Sequence, residues 1–209
     1  MLHSSAARVG ALDLGFVPAA GGLDTSGIID GASNGSIEVL FLLGADEIDM
    51  TRLGDSFVIY IGHHGDAGAH RADVVLPGAA YTEKNGTYVN TEGRVQLGRR
   101  AVFPPGDARE DWTILRALSE LLGERLSFDN LQELQEEMKK DYPSFMSTDK
   151  VERESWGNFG FAGELTEHPF VNPIKNFYMT NSISRASETM AECTSEFMSA
   201  QETATQNDG

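Results

Sequence analysis

The sequence predicts an α/β fold, with a partial and mostly parallel β-sheet, flanking helices, and a helical and extended C-terminal extension. The sheet is indicated by three short apolar runs, at residues 37–43, 57–61 and 72–76, each bounded by Gly, Ser or Pro on at least one side. Such near-continuous apolar runs are typical of parallel strands covered on both faces. The extension is indicated by a further helical pattern from residue 129 and by a stretch without any period at residues 142–176. We therefore divide the chain into an α/β part, 1–123, and an extension, 124–209.

The connections between the apolar runs favour one parallel pair and one hairpin. Residues 44–56 contain Ile48, Met50 and Leu53, enough for the short helix of a crossover between parallel strands. Residues 86–98, GTYVNTEGRVQLG, contain two β-prone pieces on either side of a turn-forming segment, NTEG. They predict a hairpin at the domain surface.

Two amphipathic helices are predicted after Pro104 and Pro105. The first has a capping-box-like start, Asp107 with Glu110, and Gly123 is placed to end it. Its apolar residues recur at helical spacing: Trp112, Ile114, Leu115, Leu118, Leu121 and Leu122. The second is predicted to start at Asp129, with Gln132 completing the cap and one apolar face, formed by Leu131, Leu134 and Met138.

The end of the chain predicts an extended segment, a docking helix and a tail. Residues 142–176 show no period, yet they contain more aromatic side chains than a free linker would, namely Trp156, Phe159, Phe161 and Phe170. A helix over 183–197 would carry one apolar stripe, made of Ile183, Ala186, Met190, Cys193 and Phe197. We expect this stripe to pack on the rest of the subunit or on a neighbour, and residues 201–209 to form a frayed tail.

Composition excludes several classes of protein. The chain has 16 Lys and Arg against 32 Asp and Glu, a net charge of −16 that would repel a nucleic-acid backbone. Its apolar runs are far shorter than the roughly 18–20 residues that span a bilayer, so direct membrane insertion is not expected. Cys193 is the only cysteine, whereas an iron–sulphur cluster normally takes four and a disulfide takes two.

The N-terminal residues allow two interpretations. MLHSSAARVGALDLG has the Ser, Ala and Arg composition of a mitochondrial transit peptide, with no acidic residue before Asp13. A short amphipathic helix of a folded domain has the same appearance.

The most polar cluster is GHHGDAGAHR, residues 62–71, which follows the second predicted strand. Four possible metal ligands stand in it: His63, His64, Asp66 and His70. Ligands bind at the carboxyl ends of strands in open α/β sheets, but this spacing matches no metal motif and the glycines favour loop geometry. We therefore expect packing or interface histidines and no bound metal.

A second candidate segment, residues 81–94, offers four acid–base groups: Glu83, Lys84, Glu92 and Arg94. No nucleophile is fixed beside them, so exposed charged pairs on a hairpin are the favoured interpretation. The chain contains no GxGxxG, GxSxG, HExxH or P-loop motif, and Cys193 lies on an apolar stripe where an inert buried thiol is usual. We expect no catalytic, cofactor-binding or metal-binding residue in this chain.

Three blocks resemble the large iron–sulphur subunit of respiratory complex I. They are FVIYIGHHGDAGAHRADVVLPGAAYTEKNGTYVNTEGRVQ (57–96), DAREDWTILRALSELLG (107–123) and NFYMTNSISRASETMAEC (176–193). LHSSAARVGALDLGFVP (2–18) is similar to family sequence as well, which favours folded protein over a cleaved presequence. Within the first block, residues 72–94 also resemble the wider molybdopterin oxidoreductase family, whose fold this subunit is thought to have inherited without the pterin.

The resemblance implies a fold and partners. Residues 1–123 would be the C-terminal portion of a molybdopterin-oxidoreductase-like domain. Family members carry cysteine motifs upstream that are absent from this chain, so the iron–sulphur clusters and FMN are expected in partner chains. Either a split gene places the cysteine-bearing N-terminal part of the subunit on a separate chain, or this chain is a truncated product. With a split gene, the implied partners are that N-terminal part and other peripheral-arm subunits of complex I. The implied location is the matrix side of the mitochondrial inner membrane.

Two functions follow from the resemblance. In the first, the chain is a non-catalytic structural part of complex I that supports electron transfer from NADH to ubiquinone. In the second, it is a fragment of an active molybdopterin-dependent oxidoreductase, with the 62–71 loop at the pterin. The ending FYMTNSISRASETMA (177–191) favours the first, because we know no counterpart of it in pterin enzymes.

Overall fold

A parallel three-stranded sheet forms the centre of the molecule. The computed structural model describes residues 8–151, 153, 162–164, 167, 174 and 176–198. The strands β1 (Val39–Leu43), β2 (Phe57–Gly62) and β3 (Val74–Pro77) lie side by side in that order. Leu40 pairs with Val58, and Tyr60 pairs with Val75. The predicted parallel pair is confirmed, with a 3₁₀ helix (Met50–Arg52) in the first crossover and the helix α3 (Ala67–Arg71) in the second.

One face of the sheet carries the main core. Leu42, Val58 and Tyr60 are buried there against Leu53 of the first crossover and Ala32 of α2 (Thr25–Ser33). Alternate side chains of a strand point to opposite faces, so the same helices cannot cover the residues between these.

The opposite face of the sheet is open along β1. Val39, Phe41 and Leu43 of β1 are 52%, 44% and 57% exposed, and Phe57 of β2, which pairs with Val39, is 46% exposed. Ile61 of β2, on the same face and paired with Leu43, is buried. Among the described residues, the expectation that the strands are covered on both faces is therefore wrong for β1 and the start of β2, and correct at Ile61. We call Val39, Phe41, Leu43 and Phe57 the open sheet face.

The predicted hairpin is confirmed and supports a second core. Strands β4 (Gly86–Val89) and β5 (Val95–Gly98) pair antiparallel. Val89 and Val95 are buried with Phe145, and partly buried side chains pack around them: Val9, Leu14, Met138 and Tyr142. Val9 belongs to α1 (Arg8–Asp13), so this N-terminal segment is a helix packed on the hairpin.

The first predicted amphipathic helix, α4, runs from Asp111 to Leu121. Its predicted start at Asp107 is wrong, because the backbone before it extends the sheet: the Ala79 amide donates to the Arg109 carbonyl (2.8 Å) and the Arg109 amide donates to the Pro77 carbonyl (3.0 Å). Its end is confirmed, since Gly123 adopts a positive φ of 85° just after the C-cap.

The apolar stripe of α4 is only partly buried by the described residues, since Trp112, Ile114, Leu115 and Leu118 are half-buried. Leu121 and Leu122 are 85% and 69% exposed, whereas Arg116 is buried. Arg116 donates to the Phe128 carbonyl (2.9 Å) and pairs with Asp129 (2.7 Å), which ties α4 to the loop that follows it.

The next helix, α5 (Leu131–Asp141), begins later than predicted, and Asn130 is its N-cap in place of Asp129. The Asn130 side chain accepts from the Glu133 amide at 3.0 Å, and the Glu133 carboxylate accepts from the Asp129 amide at 2.6 Å. Glu133 therefore takes the capping position that was predicted for Gln132.

The C-terminal helix is broken in two, which corrects the predicted continuous stripe. Following a 3₁₀ turn (Phe177–Met179), α6 (Ser182–Arg185) ends before Ser187, and α7 (Glu188–Cys193) continues into a π turn (Thr194–Met198). The Ser187 hydroxyl accepts from the Met190 amide (3.4 Å) and caps α7, so it interrupts the helical register. Ile183 and Phe197 are 37% and 52% exposed, whereas Met190 and Cys193 are half-buried, so the described residues bury the predicted stripe only in part.

Some predicted features lie outside the described residues. They are residues 1–7, the tail at 201–209, and the four aromatic side chains Trp156, Phe159, Phe161 and Phe170.

Gly54, beside the main core, offers a test of the packing. Its φ is +53°, and a Cβ atom there would lie 2.8 Å from the Ala32 carbonyl oxygen of α2. Both the backbone strain and the contact oppose a side chain, so we expect Gly54→Ala to lower the free energy of unfolding by about 1–3 kcal/mol. Gly65→Ala is the control, because its φ is not positive and no atom lies within 4 Å. Equal thermal stability of the two variants would contradict the packing.

Candidate docking site at the carboxyl edge of the sheet

Acidic side chains follow the first two strands at the same edge of the sheet. Asp46 comes soon after β1, and Asp66 comes after β2, where its side chain accepts from the Ala67 amide (2.8 Å) at the start of α3. The carboxyl ends of parallel strands are where open α/β sheets bind ligands. The edge therefore presents carboxylates at the usual ligand position.

The side chain of Arg185, in α6 near the C-terminal end of the chain, lies against these carboxylates. Its guanidinium Nε donates to Asp66, Nη2 lies 3.4 Å from Asp46 Oδ1, and Nη1 lies 3.7 Å from Glu47 Oε1. We call Asp46, Glu47, Asp66 and Arg185 the carboxyl-edge cluster. Because 139 and 119 residues separate Arg185 from Asp46 and Asp66, the cluster joins distant parts of the chain.

Asp46 is the buried member of the cluster. Its side chain is 2% exposed, and the Tyr60 hydroxyl donates to its Oδ2 at 3.4 Å. Desolvation raises the pKa of Asp46 against the opposing attraction of Arg185, and desolvation together with Asp46 raises the pKa of Tyr60 to about 12. The hydrogen bond from Arg185 lowers the pKa of Asp66. A buried carboxylate thus depends on the guanidinium of Arg185 for charge compensation.

The histidines of the 62–71 loop lie near this edge but do not converge on one point. The Nδ1 atoms of His63 and His64 are 2.6 Å apart, and desolvation with repulsion from His64 and Lys84 lowers the pKa of His63. His70 lies in the last turn of α3. Within the described part of the chain, no three His, Cys, Asp or Glu side chains are grouped in a way that would hold a metal ion. The fourth candidate ligand, Asp66, is engaged by Arg185.

The acid–base candidates of the hairpin region form structural pairs. Glu83 accepts from the Ala80 amide (2.9 Å), and Lys84 pairs with Asp111 at the start of α4. Glu92 and Arg94 pair across the turn at 2.9 Å. The structure does not bring these four groups together into one site. Cys193 is a free, partly buried thiol at the end of α7.

Asp46 and Arg185 were not among the residues that the sequence singled out. GAD at residues 44–46 is too short for a dinucleotide-binding fingerprint, and Arg185 falls within a helix that is predicted from its apolar stripe. No local pattern links two residues that are so far apart along the chain.

The fold and this edge define a class: an α/β domain with a parallel sheet whose ligand-binding edge is closed by a segment of its own C-terminal region. Comparison with known families is more specific. Residues 1–121 match the molybdopterin oxidoreductase family, and residues 150–193 match the C-terminal domain of the G subunit of NADH-ubiquinone oxidoreductase. The chain belongs to the molybdopterin oxidoreductase family.

Curated relatives confirm the resemblance to the large subunit of complex I. The chain is 46% identical to the NADH-ubiquinone oxidoreductase 78 kDa subunit, mitochondrial, of Candida albicans, over 94% of this chain and 27% of that protein. It is 44% identical to the 75 kDa subunit of Reclinomonas americana, over 93% and 28%. It is 45% identical to the mitochondrial 78 kDa subunit of Neurospora crassa, over 92% and 26%. The chain thus spans about a quarter of the length of these relatives.

The carboxyl edge does not fit the pterin that gives the family its name. Molybdopterin is an anionic, phosphate-bearing group, which proteins bind with backbone amides, Arg and Lys. Here the edge carries Asp46, Glu47 and Asp66, and Arg185, the guanidinium beside them, is already engaged by all three. We therefore derive no reaction step through a pterin at this edge.

Proposed function

We propose that this chain is a non-catalytic structural part of the large subunit of respiratory complex I, and that it supports electron transfer from NADH to ubiquinone without taking part in it. The observation that carries the proposal is the carboxyl-edge cluster. Arg185 lies in the region that matches the C-terminal domain of NADH-ubiquinone oxidoreductase, while Asp46 and Asp66 lie in the region that matches molybdopterin oxidoreductase. The segment typical of complex I therefore closes the edge at which an α/β enzyme would bind its ligand.

The open sheet face supports the same function. Four large apolar side chains on two neighbouring strands, each more than 40% exposed, form a patch of the kind that marks a protein–protein contact. We propose that it packs against the part of the subunit that the relatives contain beyond this region, whether on the same polypeptide or on a separate one, with other complex I subunits around it.

We further propose that the chain reaches the mitochondrial inner membrane, on the matrix side, through the complex. No helix in the described ranges has the length and apolar character needed to cross a bilayer. The chain itself should hold no iron–sulphur cluster, FMN or pterin, since Cys193 alone cannot ligate a cluster and the sequence has no phosphate-binding glycine motif.

Purification of the intact respiratory complex tests this function. We expect peptides of this chain in a one-to-one ratio with the other complex I subunits, and no molybdenum or pterin in stoichiometric amount. Molybdenum and pterin that copurify with the chain would instead support the alternative, a fragment of an active molybdopterin-dependent oxidoreductase.

The histidine loop gives a second test. We expect the double variant His63→Asn, His64→Asn to leave NADH oxidation by the assembled complex, measured with an artificial acceptor, within about twofold of the unmodified level. The two rings hydrogen-bond to each other, and among the described residues they form no metal site. Complete loss of activity in fully assembled complex would show that the loop takes part in the reaction.

A further inference from the structure

A groove of about 510 Å³ lies between the segment after β5 and the start of α4, and no residue of the carboxyl-edge cluster lines it. Six of its lining residues give it its chemical character: Asn85, Arg100, Phe103, Arg109, Glu110 and Trp112. Phe103 and Trp112 are aromatic, and Arg100 and Arg109 carry guanidinium groups, so the groove combines aromatic surface with positive charge.

Each aromatic ring of the groove is in contact with a neighbouring polar side chain. Phe103 is 78% exposed, and the Arg100 guanidinium lies over its ring at 4.2 Å from the centroid. The Trp112 indole donates to Glu110 Oε2 at 2.7 Å, which fixes the second ring. Exposed aromatic rings held in one orientation can bind an apolar side chain at a low cost in conformational entropy.

The charge of the groove is opposite to that of the whole molecule. The chain has a net charge of −16, yet the groove has two arginines against one glutamate. That glutamate, Glu110, accepts from Trp112 and from the Asn85 amide (3.5 Å) and lies 4.0 Å from Arg100. Among the described residues, the Arg109 guanidinium donates to the Gly106 and Ala108 carbonyls alone (3.4 and 2.9 Å) and makes no ion pair. Arg109 is therefore a guanidinium of the groove without a carboxylate partner among the described residues.

We infer that this groove docks an acidic segment of another polypeptide, with an apolar side chain between Phe103 and Trp112 and a neighbouring carboxylate on Arg109. Charge complementarity selects an acidic occupant, because a basic segment would meet two guanidinium groups. The occupant of the groove need not belong to complex I.

Photo-crosslinking in living cells tests the inference. The full chain with Phe103→p-benzoylphenylalanine is irradiated before extraction, and the crosslinked peptide is sequenced by mass spectrometry. We expect a segment of another polypeptide with at least two acidic residues beside an apolar one. A crosslink within this chain, a crosslink to a segment without acidic residues, or a yield no higher than from Tyr81→p-benzoylphenylalanine, an exposed position outside the groove, would overturn the inference.

Arginine variants in the same background separate the specific contact from general electrostatics. We expect Arg109→Glu to lower the crosslink yield at least fivefold, normalised to the amount of chain, and Arg109→Gln to lower it less. Arg99→Glu is the matched control: Arg99 is exposed, close in sequence and outside the groove lining, and its reversal should leave the yield unchanged. Equal loss from both reversals, or from neither, would contradict the role of Arg109. Absence of the chain from complex I would refute the proposed function without changing this readout.

Discussion

Replacing Phe41 with Asp should prevent incorporation of the chain into the respiratory complex while leaving its own fold intact. Phe41 is at the centre of β1 on the open sheet face, and its side chain is 44% exposed in this chain. If that face packs in the assembly, the variant loses roughly 1.5–3 kcal/mol of apolar burial and in addition buries an unpaired carboxylate, which costs several kcal/mol. Since about 1.4 kcal/mol corresponds to a tenfold change, we expect incorporation to fall by more than tenfold.

Native gel electrophoresis with quantification of the chain by mass spectrometry measures this loss. Phe16→Asp is the control, because Phe16 is 83% exposed and lies before α2, away from the sheet strands. Normal incorporation of Phe41→Asp would mean that the open sheet face stays in water in the assembly.

Replacing Arg185 with Gln should release α6 from the carboxyl edge. The substitution leaves the buried Asp46 carboxylate without its cation, and breaking a buried pair in this way costs about 3 kcal/mol. That value corresponds to an increase of about a hundredfold in the opening equilibrium. The backbone amides of Arg185 and Ala186, which donate to the Asn181 and Ser182 carbonyls, should then exchange with solvent correspondingly faster.

Two further variants separate this effect from the loss of a surface ion pair. Arg125→Gln removes a pair with Asp129 in which both side chains are more than half exposed, so it should change stability by less than about 1 kcal/mol. Adding Asp46→Asn to Arg185→Gln removes the uncompensated charge and should restore part of the protection. If the double variant exchanged faster than Arg185→Gln, charge compensation of Asp46 would not be what holds α6.

The features that the sequence predicted correctly are those set by neighbouring residues. The strands, the parallel pairing of the first two, the hairpin and the end of α4 at Gly123 follow from apolar runs, turn residues and a glycine. The helix starts were less well predicted, because tertiary pairing of Arg109 with Pro77 and Ala79 competes with the Asp107 cap. Local patterns do not report such competition.

The candidate site could not be predicted for a related reason. His63, His64 and Asp66 stand out because they lie close together in the sequence. The carboxyl-edge cluster, however, forms around Arg185, which lies near the other end of the chain. Similarly, the apolar strand pattern indicated two covered faces, but not that the described residues would leave the β1 side chains of one face exposed. The carboxyl-edge cluster and the open sheet face both depend on contacts, made or missing, between residues that are far apart in the sequence.

Carbene footprinting of the purified, intact complex tests the central claim, that this chain is a structural part whose open sheet face is buried in the assembly. Labelling of Val39, Phe41, Leu43 and Phe57 is compared with labelling of the same residues in the chain after the complex has been dissociated. We predict at least about fivefold protection of these four residues in the complex, since buried side chains are shielded from solvent. Equal labelling of the four residues in both states would contradict the claim.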